Sequence, residues 1–185
     1  MKKIIFLDRD GVINKDPGGW TKHGYVTEWK DFVFLPDSIR AIKRLNQAGY
    51  DVVIISNQAG VSKGCYTKEK LDEINKNMLR EIKDAGGDIK KVYYCIHQDS
   101  DNCNCRKPKT GMFKQAQKEM GIKIGGSYFI GDGKMDVEAA RNVGLKSILL
   151  LSGKTALGDI RTWRVKPDYI FDDLNEAVDF ILKNA

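Results

Sequence analysis

Two aspartates lie close together near the start of the sequence, directly after an apolar segment. Asp8 and Asp10 follow Lys3–Leu7, and Gly11 comes next. Side chains two residues apart in extended backbone point to the same side, and carboxylates held that close repel each other unless a cation or a proton lies between them. A Mg²⁺ ion, which prefers oxygen ligands, would remove this repulsion. The pattern therefore indicates a metal-dependent site, with a plain turn at a strand end as the alternative.

A second pair of aspartates, Asp132 and Asp136, follows a later apolar segment. The residues 131–136 begin like a dinucleotide-binding fingerprint, but Asp136 replaces its third glycine and Asp132 would face the pyrophosphate with the wrong charge. An EF-hand at Asp8 is excluded as well, because Gly11 stands at the fourth position of the loop and not at the sixth. We therefore expect the second pair of carboxylates to complete a magnesium site with Asp8.

Three cysteines and one histidine form a C-x-H pair followed by a C-x-C pair: Cys95, His97, Cys103 and Cys105. Three thiolates and an imidazole suit tetrahedral Zn²⁺, whereas a disulfide between Cys103 and Cys105 would be strained. Because four protein ligands leave no position open for water, we expect a structural zinc. Reduced thiols in a surface loop are the alternative. Cys65 is expected to be a bystander.

Apolar segments alternate with segments of helical periodicity along the chain. The predicted strands are Lys3–Leu7, Val52–Ser56, Val92–Ile96, Ser127–Ile130, Ser147–Leu151 and Tyr169–Phe171. The predicted helices run from Pro36 to Gly49, from the cap Thr67 to Gly86, and over Gly111–Met120, Met135–Asn142 and Leu174–Leu182. Six strands with intervening helices predict an α/β fold, namely a three-layer, doubly wound parallel sheet.

The chemically interesting residues follow predicted strands in four places. Ligands of such sheets bind outside the carboxyl ends of the strands, so these residues are expected to meet at one edge. Two stretches do not fit the alternation, Asn14–Phe32 and His97–Thr110. Both follow strand ends and are expected to form walls of the site.

Length and composition limit the possibilities further. The 185 residues suit a single domain, expected over 1–185, and the net charge of +6 comes from basic residues spread along the chain. A lysine-rich solvated surface explains this charge, and attraction of an anionic ligand is the alternative. We expect no nucleic-acid partner, because no basic block is interleaved with aromatic residues. No apolar run is long enough for a membrane span or a signal peptide, so a cytoplasmic protein is expected. We also expect a monomer.

Four motifs of the chain resemble those of the haloacid dehalogenase (HAD) superfamily. They occur in the same order as in that superfamily and extend over nearly the whole chain. They are Phe6–Asn14, Ser56–Gly60, Arg106–Pro108, and Gly131-Asp132 with Asp136. The resemblance implies that Asp8 attacks phosphorus, and that Asp10 protonates the leaving oxygen and then activates water. It places Mg²⁺ on the Asp8 carboxylate, the Asp10 backbone carbonyl and the Asp132 carboxylate. It also implies that Ser56 and Lys107 contact the phosphoryl group.

General acid catalysis sets a condition on Asp10. This residue can donate a proton only if its pKa is raised, and we expect a partly dry site beside other carboxylates to raise it. The positive charge that the transferring phosphoryl group needs is expected from Mg²⁺ and Lys107, with hydrogen-bond donors from Ser56 and backbone amides. No P-loop is present, so a kinase is not expected.

The zinc pattern narrows the resemblance to two families. The chain resembles D-glycero-D-manno-heptose-1,7-bisphosphate phosphatases, through His23–Val26 and Asn57–Gly64, and the related histidinol-phosphate phosphatases. Both are compact members of the superfamily without a large cap domain. The resemblance implies that Arg106 recognises the substrate and that the pocket is lined by Asn57, His23, Gly24 and Tyr25. Departures are Lys22 in place of an acidic residue, Lys63 in place of arginine, and the extra residues Pro17–Trp20.

Several functions are compatible with these features. We expect a phosphatase that removes the C7 phosphate of the heptose bisphosphate; a histidinol-phosphate phosphatase or another small sugar-phosphate phosphatase is the alternative. A 3′-phosphatase of nucleic-acid ends would need a basic aromatic groove, which is not found. A zinc-stabilised binding module without catalysis would have no reason to keep buried like charges such as Asp8, Asp10 and Asp132, or Lys107 beside them.

Overall fold

Six parallel strands form the centre of this computed structural model, which describes residues 3–184. The strands are β1 (Lys3–Leu7), β2 (Tyr50–Asn57), β3 (Lys91–Cys95), β4 (Tyr128–Gly131), β5 (Lys146–Leu150) and β6 (Tyr169–Phe171). The helices are α1 (Ser38–Gln47), α2 (Lys68–Asp84), α3 (Gly111–Met120), α4 (Lys134–Val143) and α5 (Leu174–Lys183), with short 3₁₀ turns at Trp29–Asp31, Asp99–Asp101 and Asp159–Thr162. Of the span predicted for the domain, residues 1, 2 and 185 lie outside the described part.

The order of the strands across the sheet is β3-β2-β1-β4-β5-β6. The chain winds outward from β1 in one direction through β2 and β3, and in the other through β4, β5 and β6. Strand β1 pairs with β2 from Lys3 opposite Tyr50, and with β4 up to Leu7 opposite Ile130. The winding therefore reverses between β1 and β4, which is where ligands bind in sheets of this kind.

Helices cover both faces of the sheet, as predicted. Alternate residues of β1 point to opposite faces, so that Ile5 and Leu7 pack in one apolar cluster with α1, α2 and α5, while Ile4 and Phe6 pack in another with α3 and α4. This arrangement confirms the three-layer α/β fold.

The predicted strands and helices are present, and their bounds differ by at most two residues at either end. Strand β2 extends beyond Val52–Ser56 at both ends because Tyr50 pairs with β1 and Asn57 pairs with β3, and α1 is two residues shorter at each end than predicted. The predicted cap of α2 is confirmed, since the Thr67 side chain accepts a hydrogen bond from the backbone N–H of Lys70 at 3.3 Å.

The connections carry less regular structure. Between residues 3 and 184, no connection forms a large cap domain, and no helix is long and apolar enough to cross a membrane. The predicted wall segments Asn14–Phe32 and His97–Thr110 contain one short 3₁₀ turn each. Both begin at the carboxyl edge of the sheet.

Candidate active site

Three aspartates meet where the winding of the sheet reverses. Asp8 follows β1, Asp132 follows β4, and Asp136 lies in the first turn of α4. One carboxylate oxygen of each lies within 4.8 Å of the others. All three residues are buried. Buried oxygen ligands at this spacing fit a divalent cation such as Mg²⁺.

Glycines make room for the Asp132 side chain. Gly11 has φ +78°, a conformation that L side chains rarely adopt, and a Cβ atom on Gly11 would overlap the Asp132 carboxyl group. A Cβ atom on Gly153 would overlap the same group. The turn after β1 and the turn after β5 thus both close tightly on this carboxylate.

Lys107 brings a buried positive charge to the acidic cluster. Its Nζ lies 2.8 Å from Asp8 Oδ2 and 2.7 Å from Asp136 Oδ1, and it donates to the Ile55 carbonyl at 2.9 Å. From the other side, Lys154 Nζ reaches Asp132 Oδ1 at 3.1 Å. Three carboxylates thus face two ammonium groups, which leaves a net negative charge for a cation to balance.

Protonation of the cluster reflects this crowding. Burial raises the pKa of Asp8, with a further rise from Asp136, and these effects outweigh the opposing Lys107 ammonium group. Burial likewise raises the pKa of Asp132 to about 7, against the effect of Lys154. A bound divalent cation would favour the ionised carboxylates instead. The cluster is therefore better suited to holding a cation than to stabilising the fold by itself.

The Asp10 carboxylate is not a member of this cluster, and its pKa differs from the expectation. Its carboxylate accepts hydrogen bonds from Asn14 Nδ2 at 2.8 Å and Gln58 Nε2 at 2.8 Å, and pairs with the Arg9 guanidinium at 3.1 Å. Burial alone would raise the pKa of Asp10, but Arg9 and the two amides lower it below its usual value. The expected rise was wrong because the neighbours of Asp10 are donors and not other carboxylates. The metal contact predicted for its backbone carbonyl stays a prediction.

The four predicted zinc ligands lie together at the edge of the sheet. Cys95 Sγ is 3.5 Å from His97 Nδ1, 3.6 Å from Cys103 Sγ and 2.9 Å from Cys105 Sγ. The backbone N–H of Arg106 donates to Cys103 Sγ at 3.4 Å. Burial would raise the pKa of Cys103, but the hydrogen bonds from Arg106 and from neighbouring groups lower this pKa to about 6. Three sulfurs and one ring nitrogen in this grouping fit tetrahedral zinc, as predicted.

The loop from His97 to Cys105, here called the zinc-ligand loop, leads directly into the cationic residues Arg106 and Lys107. Arg106 Nε donates to Asp99 Oδ1 at 2.6 Å, and its Nη1 donates to the His97 carbonyl at 3.3 Å. The backbone N–H of Lys107 donates to Asn57 Oδ1 at 3.0 Å, and Asn57 Nδ2 donates to the Lys107 carbonyl at 3.1 Å. A stiff loop therefore fixes both cations relative to β2.

A cavity of about 440 Å³ opens over the acidic cluster. Its lining includes the predicted residues Asp8, Asp10, Gly24, Tyr25, Asn57, Arg106 and Lys107. His23 does not line the cavity and is exposed. Ser56 does not line it either, because its hydroxyl is buried beneath the surface and accepts a hydrogen bond from Gln58 at 3.0 Å.

Some lining residues had no predicted role of their own, namely Asp16, Pro17, Ala59, Lys134, Met135 and Lys154, although Asp16 and Pro17 lie in the predicted wall segment Asn14–Phe32. The position of Lys154 just after β5 obeys the same rule that identified Asp8 and Asp132, so it could have been found. Asp16 and Pro17 belong to an irregular segment, where the sequence carries no comparable signal.

Comparison with known proteins agrees with this geometry. A family model described as HAD-hydrolase-like matches residues 104–177. The D-glycero-β-D-manno-heptose-1,7-bisphosphate 7-phosphatase of Pseudomonas aeruginosa is 36% identical over 185 residues, covering 98% of this chain and 99% of that protein. The chain belongs to the heptose-bisphosphate phosphatase family of HAD-like hydrolases. The enzyme of the same name from Neisseria meningitidis serogroup A is 36% identical over 183 residues, covering 98% of this chain and 95% of that protein.

A solved structure shares the fold of this HAD-like phosphatase. The D,D-heptose 1,7-bisphosphate phosphatase of B. bronchiseptica, crystallised with magnesium and phosphate, superposes with a TM-score of 0.88 at 30% identity, covering 99% of both chains. The predicted superfamily and the predicted phosphatase activity are confirmed. The roles of individual residues stay predictions.

Proposed function

We propose that this phosphatase removes the C7 phosphate of D-glycero-D-manno-heptose 1,7-bisphosphate through an aspartyl-phosphate on Asp8. One observation supports the chemistry most directly: the carboxylates that follow β1 and β4 converge beside the buried ammonium group of Lys107. The substrate is supported by the names of the relatives in Pseudomonas aeruginosa and Neisseria meningitidis.

The first half of the proposed reaction transfers the phosphoryl group to Asp8. Mg²⁺, held by the carboxylates of Asp8 and Asp132, would neutralise negative charge on the phosphate and so let an anionic nucleophile approach. Lys107 adds a second positive charge at 2.8 Å from Asp8. Asp136 keeps this lysine in place from its other side, at 2.7 Å.

The proton transfers are assigned to Asp10, which lines the same cavity. It donates a proton to the leaving sugar oxygen and then takes one from the water that hydrolyses the aspartyl-phosphate. Its lowered pKa favours the carboxylate, which is the form that the second half needs. For the first half, Asp10 has to take up a proton before the leaving oxygen departs.

The charges around the cavity favour a substrate with two phosphates. Lys107 and Lys154 line it but are paired with the acidic cluster, whereas Arg106 and Lys134 line it in addition and are available to a second phosphate. A sugar bisphosphate gains from these cations at both of its ends. Histidinol phosphate carries an ammonium group of its own, which the same cations would repel.

Turnover measurements with Mg²⁺ test the proposal. Both anomers of the heptose bisphosphate, histidinol phosphate and a 3′-phosphorylated DNA end would be compared by release of inorganic phosphate. We expect the highest kcat/KM with the heptose bisphosphate. A higher value with histidinol phosphate or DNA would overturn the substrate assignment, and labelling of an Asp8→Asn variant by phosphate would overturn the nucleophile.

The setting of the enzyme is also part of the proposal. We infer a one-domain monomer that works in the cytoplasm on a small phosphorylated sugar and binds no nucleic acid. Sedimentation at micromolar concentration would show a mass near 20.9 kDa; a dimer would contradict the monomer.

A further inference from the structure

The side-chain amide of Gln58 is hydrogen-bonded at every position that it offers. Its Nε2 donates to Asp10 Oδ2 at 2.8 Å and to Ser56 Oγ at 3.0 Å. Its Oε1 accepts from Arg9 Nη2 at 3.0 Å and from the Tyr66 hydroxyl at 2.8 Å. Gln58 is 1% exposed, so no water replaces these partners. One buried amide therefore connects Asp10, to which the proton transfers are assigned, with the buried hydroxyl of Ser56.

The neighbours of Gln58 allow only one orientation of this amide. A guanidinium group can only donate, so Arg9 must face the carbonyl oxygen, and an ionised carboxylate can only accept, so Asp10 must face the NH₂ group. Rotating the amide by half a turn would place its NH₂ group against the Arg9 guanidinium and its carbonyl oxygen against the Asp10 carboxylate. The Tyr66 hydroxyl adds a second donor to the oxygen and supports the same orientation.

The backbone explains why these residues meet. Ser56 and Gln58 are two residues apart at the end of β2, where alternate side chains point to the same side. The residue between them, Asn57, points the other way and pairs with the backbone of Lys107. The strand end thus holds Asp10 with one set of side chains and the cationic loop with the other.

We propose that Gln58 is a positioning residue, which holds the Asp10 carboxylate in place for proton transfer and ties it to Ser56, and that the Tyr66 hydroxyl acts through Gln58. This rests on the proposed function, in which Asp10 protonates the leaving oxygen. Gln58 lies within the motif Ser56–Gly60, in which the resemblance implies roles for Ser56 and Asn57 but none for Gln58.

A comparison of two leaving groups separates positioning from structural support. The sugar hydroxyl needs a proton as it leaves, whereas the nitrophenolate of p-nitrophenyl phosphate leaves without one. Values of kcat/KM report the steps up to the first phosphoryl transfer. For Gln58→Ala we expect kcat/KM for the heptose bisphosphate to fall about tenfold more than for p-nitrophenyl phosphate, in the direction of Asp10→Asn. Equal falls for both substrates would overturn the proposal.

Gln58→Glu provides a second test should the alanine variant fail to fold. It keeps the size of the side chain and replaces the NH₂ donor by an acceptor, which repels the Asp10 carboxylate. We expect the same preferential loss with the sugar substrate. An unchanged ratio of the two kcat/KM values in a folded Gln58→Glu protein would count against positioning.

A double-mutant cycle tests the part assigned to Tyr66. Tyr66→Phe should lower the sugar-to-nitrophenyl ratio about two- to threefold in the wild-type chain, and should leave it unchanged in the Gln58→Ala background, since coupled residues are not additive. Additive losses would overturn this part. The matched control is Asn75→Ala, which removes a buried amide that contacts Arg9 at 3.4 Å but not Asp10; we expect less than a twofold change of the ratio.

The proposed function can fail separately. If wild-type protein does not turn over the heptose bisphosphate, any alkyl phosphate that it does cleave replaces this substrate in the comparison. The test of Gln58 then stands unchanged, because it depends on the leaving group and not on the identity of the sugar.

Discussion

At the scale of single residues, we expect turnover to depend most on Asp8. Asp8→Asn removes the proposed nucleophile while keeping the size of the side chain, and we expect kcat to fall at least about 10³-fold. The fold should persist, because burial already disfavours the ionised form of Asp8. Phosphate release and a thermal melt without Mg²⁺ would check this, with the exposed Asp172→Asn as control. Wild-type turnover by the Asp8→Asn protein would contradict the assignment.

The acidic cluster also predicts how pH acts on magnesium binding. Burial raises the pKa of Asp132 to about 7 in the metal-free protein, above the ordinary value of 3.8 that applies to the unfolded chain. An acid raised in this way destabilises the fold as pH rises from about 4 to about 7, because the unfolded state gives up its proton first.

Mg²⁺ competes with that proton, so its stabilising effect should grow over the same range. We expect saturating Mg²⁺ to raise Tm more at pH 8 than at pH 5, by thermal shift. Asp132→Asn should remove most of the difference. A larger shift at pH 5 would refute the site.

Sequence reasoning correctly placed Asp8 and Asp132 at one edge of the sheet, and it failed for the ionisation of Asp10. The first two follow strands, and parallel strands bring their carboxyl ends to one edge wherever their neighbours lie. The surroundings of Asp10 depend instead on Arg9 and Gln58, whose side chains meet only once two strand ends are in place. A motif shows where a residue lies in the chain, but it does not show which groups its side chain hydrogen-bonds in the folded protein.

At the scale of elements, the zinc-ligand loop sets the position of Arg106 and Lys107. Metal analysis should find about one zinc per chain, and removal by a chelator should lower Tm and raise KM, because the loop loses the constraint that holds both cations. Cys103→Ser should act in the same direction. Cys65→Ser is the control, since Cys65 is outside the ligand group and should leave the zinc content unchanged. Zinc-free protein from a chelator-free purification would refute the site.

The segment around Trp20 is expected to shape substrate binding. Trp20 Nε1 donates to the Asp16 carbonyl at 2.6 Å, and Asp16 and Pro17 line the cavity. Trp20→Phe keeps an aromatic ring but loses this donor, so we expect KM to rise severalfold with kcat nearly unchanged, by the net value of about 1 kcal/mol for such a bond. Trp163→Phe, away from the cavity, is the control. A fall in kcat alone would contradict this role.

The elements themselves were predictable because apolar periodicity reports which face is buried. The continuous apolar run of β1 and the helical spacing in α2 each identify an element without knowledge of its neighbours. The irregular segments were predictable only as walls. Their internal hydrogen bonds, such as that of Trp20 to Asp16, follow no periodic rule.

At the scale of the whole molecule, the active site is assembled from segments far apart in sequence. Asp8, Lys107 and Asp132 come from the turns beyond β1, β3 and β4, and Lys154 comes from the turn beyond β5. The doubly wound topology alone brings these turns together, so the site could be located from the strand order. The exact pairing of charges, such as Lys107 with both Asp8 and Asp136, depends on packing that only the folded chain defines.

The glycines around Asp132 have a consequence for mutational tolerance. Gly11 and Gly153 leave no space for a methyl group beside the carboxylate, so Gly153→Ala should cost the protein its Mg²⁺ response while leaving much of its helical signal. In a saturation library selected for activity, variants of either glycine should be depleted as strongly as variants of Asp132, which the two glycines enclose. Gly125, which has open space around it, should tolerate alanine. A selection of this kind would thus reveal the outline of the cation site through residues that carry no charge.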